Sequence, residues 1–349
     1  AHEHATFSTI MDMARGIPAI YTVLANYDEI AHRRGPDSAV ALESLRGIDD
    51  AISRIFAAAA AMPELNYDVY IASDHGQVAT RPFEQVMGVT LRDYLALAEP
   101  QAEGPPHVPE QAAKHMRRIE ALERATQSLP EPVRCACQPM LLDAAKEALP
   151  QHAGRLKLLE EVVCIEAGDV AHVYLGRDGH PLPLEAIEKR YPRILRVLRD
   201  CPAIGLVAVR GGKRGFAFYR GRRYDLADPE QVRALDLGYG GTLVAEFLAQ
   251  MLTIRPAGDL VCYGNGLPDG SHVAFCWEFG SHAGVGRDEV ENFVIHPRSA
   301  DFDFTSVMHG ADLNAFFTSH YLQRARTQAQ VPQQAPLPPP ERMAAAWDG

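Results

Sequence analysis

The sequence is poor in cysteine. Six cysteines, at positions 135, 137, 164, 201, 262 and 276, are spread over 349 residues. They are too sparse for a disulfide-stabilised scaffold, and Cys135-Ala-Cys137 lacks the two-residue spacing of zinc ribbons and redox pairs. We therefore expect ordinary reduced thiols.

The sequence also lacks an excess of basic residues and any long apolar run. Lys and Arg total 34 against 45 Asp and Glu, a formal charge of −11, and no basic tract is interleaved with aromatic residues. The longest purely apolar run, residues 56–62, has seven residues, whereas a membrane-spanning helix needs ~20. The N-terminus has neither the basic nor the apolar region of a signal peptide. These absences argue against a nucleic-acid partner, a membrane span within the sequence and a cleaved leader.

The first 76 residues show an α/β pattern, and hydrophobic residues make up 47% of the chain, enough for a substantial core. The apolar, β-rich run over residues 17–25 predicts a strand buried on both faces. Apolar positions at steps of three and four predict a helix over residues 41–60, and residues 67–72 predict a second strand. Polar residues follow both strands. We therefore expect a βαβ unit that presents a ligand-binding edge at the carboxyl ends of its strands.

The rest of the chain divides by composition. Strands are predicted at 170–175, 204–209, 216–219, 259–263 and 273–277, with a helix at 184–198. The predicted segments are part of an α/β core (1–100), a helical insertion (101–160), a small α+β cap (161–235), a return to the core (236–325) and a Pro-rich, disordered tail (326–349).

Acidic residues and histidines follow the predicted strands. Asp28 and His32 follow the first strand, Asp74 and His75 follow the second, and His282 lies in a glycine-rich turn after a much later strand. Each group alone is weak evidence, because a surface acid and histidine often give the same spacing. Together they supply two carboxylates and three imidazoles, more than one tetrahedral ion needs and close to what two divalent ions need.

Three motifs occur in order: YDEIAHRRGPDS (27–38), SDHGQ (73–77) and FGSHAGVG (279–286). Together they resemble the alkaline phosphatase superfamily, in its type I phosphodiesterase/nucleotide pyrophosphatase-like branch, from about residue 16 to about residue 297. The resemblance implies a three-layer αβα core with an inserted α+β cap. It also implies metal-dependent hydrolysis of phosphoric esters, with diesters or nucleotide pyrophosphates favoured over monoesters.

The resemblance further implies a ligand set. Asp28, His32 and His282 would hold one metal ion, while Asp74 and His75 would contribute to a second. Zn²⁺ is the expected ion and Mn²⁺ the alternative. The expected partner is a small-molecule phosphate ester and not a nucleic-acid polymer.

The sequence departs from the superfamily pattern before Asp28. The superfamily places an Asp-ending strand and a Ser or Thr nucleophile upstream of the Asp-x-x-x-His motif. Thr6, Ser8, Thr9 and Asp12 occur there, but nothing around them resembles that arrangement. We expect the nucleophile upstream of Ala1, in a longer protein, and little activity from this chain alone.

Related bacterial proteins often carry a membrane-embedded segment before the catalytic region. Membrane attachment would therefore come only through such a segment, and a cytoplasmic location is the alternative.

Other functions stay open at this point. The chain could be a non-catalytic metal-binding or interaction domain that has lost its upstream half. Within the same superfamily, a sulfatase or a cofactor-independent phosphoglycerate mutase also fits the three motifs. Metal content, together with hydrolysis of a chromogenic phosphodiester, separates the enzymatic from the non-enzymatic hypothesis.

Overall fold

A computed structural model describes residues 2–95, 125, 129–130, 133, 162–176, 180–212, 214–235 and 241–323. The described residues group into two compact units. The first draws on Ala1–Ile30, Ser38–His75 and Asn292–Gly349, and the second on Ala31–Asp37 and Gly76–Glu291. Apart from four isolated residues, the predicted helical insertion lies outside the described residues, as does the predicted Pro-rich tail.

The longest helix is α3 (Ala39–Ala61), and it confirms the helix predicted from apolar periodicity. Its N-cap is Ser38, whose Oγ accepts a hydrogen bond from the Ala41 amide at 3.2 Å. The helices are α1 (His2–Ala14), α2 (Asn26–Arg34), α3, α4 (Phe83–Met87), α5 (Leu91–Leu95), α6 (Leu184–Arg190), α7 (Pro192–Asp200), α8 (Pro229–Ala234), α9 (Gly241–Thr253), α10 (Arg287–Val290) and α11 (Gly310–Phe317).

The strands form three separate sheets in the described residues. The strands are β1 (Ile71–Ala72), β2 (Val78–Pro82), β3 (Val162–Ala167), β4 (Val170–Leu175), β5 (Ile204–Gly211), β6 (Arg214–Tyr219), β7 (Arg222–Asp225), β8 (Leu260–Gly264), β9 (His272–Ala274), β10 (Gly280–Ser281) and β11 (Val294–Ile295). The first unit contains β1 and β11, which pair antiparallel. The second unit contains a three-stranded sheet of order β10-β2-β9 and an antiparallel six-stranded sheet of order β3-β4-β8-β5-β6-β7.

The central strands β5 and β8 of the six-stranded sheet are buried on both faces within the second unit. Alternate residues of β5 point to opposite sides, so that Val207 packs into one apolar cluster and Leu206 into the other. Residues of α6 and α7 contribute to the first cluster, and residues of α8 and α9 to the second. Helices therefore cover both faces of this sheet. The mixed α/β fold class predicted from the sequence is confirmed, and it is consistent with an alkaline-phosphatase-like fold.

Strand β8 links two segments that the sequence analysis assigned to different domains. It lies between β4 and β5 and pairs antiparallel with both. The six-stranded sheet therefore combines strands from the predicted cap (161–235) with one from the predicted return to the core (236–325). The domain boundaries themselves stay predictions.

The predicted strand over residues 17–25 is wrong, because the structure has no strand there. Tyr21 is 89% exposed and Val23 is 54% exposed, so the apolar run is not buried on both faces. The second predicted strand shortens to β1, which pairs antiparallel with β11. The expected parallel βαβ unit is therefore not formed.

The first unit is held together by helix packing and an aromatic cluster. Helix α1, which the sequence analysis did not predict, packs against α3. Tyr70 lies edge-on to Phe317 with ring centroids 5.0 Å apart, and its hydroxyl is 2.7 Å from that of Tyr321. Phe316, 5% exposed, lies at the centre of this cluster. In the described part of the chain, no helix is both long and apolar enough to cross a membrane.

Candidate metal centre

Helix α2 carries the first predicted ligand pair. Asp28 and His32 are four residues apart on it, a spacing that places two side chains on one face of a helix. The helix crosses the boundary between the two units: Asp28 belongs to the first unit, with Asp74 and His75, and His32 belongs to the second, with His282. The three-residue ligand group of Asp28, His32 and His282 therefore stays a prediction.

His32 is fixed by the segment that leads into β10. Its backbone carbonyl accepts a hydrogen bond from the Phe279 amide at 2.7 Å. Its ring Nδ1 donates to the carbonyl oxygen of Gly280 at 2.8 Å. Because a carbonyl can only accept, Nδ1 carries the hydrogen, and in the neutral ring Nε2 keeps its lone pair. The third motif therefore sets both the orientation and the tautomer of His32.

His282 meets His32 at this nitrogen. The two Nε2 atoms are 3.1 Å apart and the rings are inclined by 58°. Two nitrogens bound to one tetrahedral zinc ion, each ~2.0–2.1 Å from it, lie roughly 3.3 Å apart. A backbone carbonyl on the far ring nitrogen is also what metal-bound histidines commonly have. The residues present in the second unit therefore fit a divalent transition metal.

Glu278 lies on the other side of the His32 ring. Its Oε2 is 3.3 Å from His32 Nδ1, and the interaction with His32 lowers the pKa of the Glu278 carboxyl against the opposing effect of burial. The sequence analysis did not single out Glu278, although it lies four residues before His282. It adds negative charge beside His32, which favours a cation at Nε2 of this ring.

In the first unit, Asp28 and His75 come together. Their ligand atoms lie within 4.8 Å of each other, and both side chains are half-buried. The Asp74 side chain is 77% exposed, and its Oδ1 accepts a hydrogen bond from the His75 amide at 3.2 Å. The sequence analysis grouped His75 with Asp74 alone, whereas the structure also brings it to the carboxylate of Asp28.

Gly76, which follows His75, is required by a close approach of backbone. Its amide donates to the Glu289 carbonyl at 2.9 Å. A Cβ at this position would lie 2.0 Å from the carbonyl oxygen of Asp288, closer than any side chain tolerates. The structure therefore explains the glycine of the Asp-His-Gly motif by packing against the chain around α10.

A second group of potential ligands lies in the second unit, and the sequence analysis missed it. Asp169 and Glu289 are 1% and 2% exposed, and His272 is half-buried beside them. His272 Nδ1 is 3.9 Å from Asp169 Oδ2 and 3.7 Å from Glu289 Oε2. The three residues are far apart in the sequence and share no motif spacing. The proximity of Glu289 to the glycine-rich turn was the only available signal.

The two buried carboxyls have opposite pKa shifts. Burial, followed by the charge of Asp169, raises the pKa of Glu289 to about 9. Burial also acts to raise the pKa of Asp169, but interactions with His272, Glu289 and Ser281 outweigh it and lower that pKa. At neutral pH the pair therefore holds one negative charge and one proton, in keeping with two acids too close for both to ionise.

The raised pKa of Glu289 predicts a pH-dependent stability. The folded chain binds a proton at Glu289 that the unfolded chain releases above the ordinary pKa of 4.5. The contribution of Glu289 to the free energy of unfolding therefore falls as the pH rises from about 5 towards 9, by at most about 1.4 kcal/mol per pH unit. Glu289→Gln, which keeps the shape of the neutral acid and does not titrate, should flatten this dependence. Urea titrations at pH 5, 6, 7 and 8 measure it.

Three other titratable groups face Glu289, and they are common to both variants: Asp169, His272 and Tyr263. Burial raises the pKa of Tyr263 above the window of pH 5 to 8. The lowered pKa of Asp169 changes the free energy of unfolding only below about pH 4, outside the measured range of pH 5 to 8. Equal slopes in wild type and Glu289→Gln would contradict the protonated state assigned to Glu289.

Comparison with known families bears on the first half of the chain. Residues 4–167 match the family model of type I phosphodiesterase / nucleotide pyrophosphatase. The match confirms the resemblance inferred from the motifs, and it indicates similarity to phosphodiesterase- and pyrophosphatase-type hydrolases over this segment. It covers just under half of the chain and includes the Asp28–His32 and Asp74–His75 motifs, whereas His282 lies outside it. Searches of curated proteins and of solved structures return no match.

Proposed function

We propose that this chain forms part of a divalent-metal-dependent hydrolase that cleaves phosphodiester or nucleotide pyrophosphate bonds. The observation that carries the proposal is the pair of facing Nε2 atoms of His32 and His282, with His32 oriented by the Gly280 carbonyl. The type I phosphodiesterase family match supports the reaction class. The proposed substrate is a small-molecule phosphate ester, since a chain of formal charge −11 suits no nucleic-acid polymer.

The proposed ligands are those that the resemblance implies. His32, His282 and Asp28 would hold one ion, and His75 and Asp74 would contribute to a second. The approach of Asp28 to His75 supports this arrangement, because ligands of two ions about 4 Å apart lie close together. Imidazole and carboxylate donors suit Zn²⁺, with Mn²⁺ as the alternative.

The ions would offset the charge on the phosphoryl oxygens and make an attacking oxygen more acidic. The residues of the chain prepare the site. The Gly280 carbonyl keeps the proton of His32 on Nδ1, so that the lone pair of Nε2 can coordinate a cation. Glu278 stabilises the charge that this ring acquires when it is polarised.

The hydroxyls near the N-terminus of the chain support the expectation that the nucleophile is elsewhere. Thr6 and Thr9 are buried within α1, where their Oγ1 atoms each donate to a helix carbonyl at 2.8 Å. The Thr9 hydroxyl also contacts that of Thr22 at 2.5 Å. These hydroxyls make structural contacts within α1 and with Thr22, and we propose no nucleophilic role for them.

The function is tested by hydrolysis of bis(p-nitrophenyl) phosphate with added Zn²⁺ or Mn²⁺. The assay uses the gene product as the cell makes it and, separately, residues 1–349. We expect metal-dependent turnover by the gene product, lost on chelation and lowered at least 100-fold by His282→Ala, since a ligand is removed. The matched control, His180→Ala, removes an exposed histidine and should leave turnover unchanged.

The other outcomes separate the alternatives. Metal binding without turnover by the gene product would overturn the hydrolase proposal in favour of a non-catalytic metal-binding domain. Comparable turnover by residues 1–349 and by the gene product would contradict the expectation that the nucleophile lies upstream of Ala1.

A further inference from the structure

We propose that Asp169 and Glu289 are positioning residues that clamp the glycine-rich turn around His282 and so set the place of its ring. The inference rests on the proposed function, because it concerns how a metal ligand is held. It deepens that function by naming residues outside the three motifs on which the affinity for the ion would depend.

Glu289 holds the turn on the C-terminal side of His282. Its Oε1 accepts a hydrogen bond from the Gly284 amide at 2.9 Å, and its Oε2 accepts one from the Gly286 amide at 3.0 Å. One carboxyl group thus binds two alternate amides of the same turn. Because Glu289 is 2% exposed, water cannot replace these contacts.

Asp169 holds the turn on its N-terminal side. Its Oδ1 accepts a hydrogen bond from the Ser281 hydroxyl at 2.8 Å, and its own amide donates to the same hydroxyl oxygen at 3.1 Å. Ser281 is fully buried and immediately precedes His282. His282 is therefore held from both sides, through Ser281 before it and Gly284 after it.

The glycines of the motif are explained by this clamp. A Cβ on Gly284 would lie 2.2 Å from Asp169 Oδ2 and 2.5 Å from Glu289 Oε2, and one on Gly286 would lie 2.7 Å from Glu289 Oε2. The turn therefore lies directly against the carboxyl pair, with no room for a side chain. The motif needs glycine here for close approach and not for a left-handed backbone, because neither residue has positive φ.

The burial of two acids side by side calls for a structural reason. An unpaired buried carboxylate is costly, and the pair persists only because its oxygens are hydrogen-bonded to the turn and to each other. The His272 ring lies within 4 Å of both carboxyl groups. Residues that orient a metal ligand from behind typically change metal affinity about 10–100-fold when they are removed.

The test compares Glu289→Ala with Glu289→Gln in the full chain. Zinc affinity is measured by competition with a chromophoric chelator, and ligand geometry by the visible absorption of bound Co²⁺. Glu289→Ala removes both amide contacts and should weaken zinc binding about 10–100-fold with an altered Co²⁺ spectrum. Glu289→Gln keeps one acceptor for the turn and loses the other, because its amide nitrogen can only donate, so its zinc affinity should lie between those of wild type and Glu289→Ala. Ser281→Ala removes both contacts of the hydroxyl with Asp169 and serves as a second variant if Glu289→Ala does not fold.

The outcomes distinguish this inference from the proposed function. A wild-type chain that binds no zinc would overturn the metal site itself. A wild-type chain that binds zinc, with equal affinity and spectra in Glu289→Ala and Ser281→Ala, would overturn only the clamp. Imidazole ¹⁵N spectra of the metal-free chain give a separate readout: the clamp predicts that the His282 signals shift or broaden in Glu289→Ala, and unchanged signals would contradict it.

Discussion

Substitution of His282 by Ala should lower the zinc affinity of the chain by about 100-fold or more, the largest effect that we expect of any single substitution on binding. Removing a residue behind a ligand costs about 10–100-fold, so removing a ligand itself should cost at least the upper end of that range. His32→Ala should have a similar effect, because its Nε2 is 3.1 Å from that of His282. The measurement is a zinc titration by chelator competition.

The double variant gives the sharper result. If the two nitrogens bind one ion, His32→Ala and His282→Ala should be strongly non-additive, and the double variant should be little weaker than either single one. Additive losses would show that the histidines bind separate ions. His180→Ala, which removes an exposed histidine, should leave the affinity unchanged, and a similar loss there would mean that zinc binds adventitiously.

The sequence predicted the elements of the fold best where periodicity was long and unbroken. Helix α3 and strands β4, β5 and β6 lie where apolar patterns placed them. The helix predicted over residues 184–198 is instead two, α6 and α7, because Pro192 occupies the first turn of α7. The strand at residues 17–25 failed for another reason: an apolar run forms a strand only if a sheet covers it, and sequence patterns do not show which runs are covered.

The candidate ligands were predictable because their chemistry is local to three motifs, whereas the residues that hold them were not. His32 and His282 could be selected by residue type and by the turns around them. Asp169 and Glu289 are 120 positions apart, and each looks like an ordinary surface acid in the sequence. Only the fold shows that both are buried against one turn. Burial and tertiary contacts thus add what residue spacing cannot supply.

Phe275→Ala should cause the largest loss of stability, about 3–5 kcal/mol, the range for truncation of a fully buried phenylalanine. The Phe275 side chain is completely buried and stacks on Phe83 with ring centroids 5.7 Å apart. Its amide donates to the Gly168 carbonyl at 2.7 Å, so the segment that leads to the third motif is joined here to the chain before Asp169. Such a loss is a large share of the ~5–15 kcal/mol that stabilises a typical domain.

The matched control for this prediction is Phe293→Ala. Phe293 is 54% exposed. Its amide donates to the Ser73 hydroxyl and its carbonyl accepts from the Ser73 amide, and neither hydrogen bond depends on the phenyl ring. Its truncation should change stability by no more than about 0.5 kcal/mol, as for most surface substitutions. Urea unfolding followed by circular dichroism compares the two variants. Phe275 belongs to the second unit, as do His32 and His282. Truncation of its side chain should therefore lower the urea concentration at which the second unit unfolds and zinc binding is lost. Equal, small shifts in both variants would show that the packing around Phe275 does not stabilise the fold that holds these ligands.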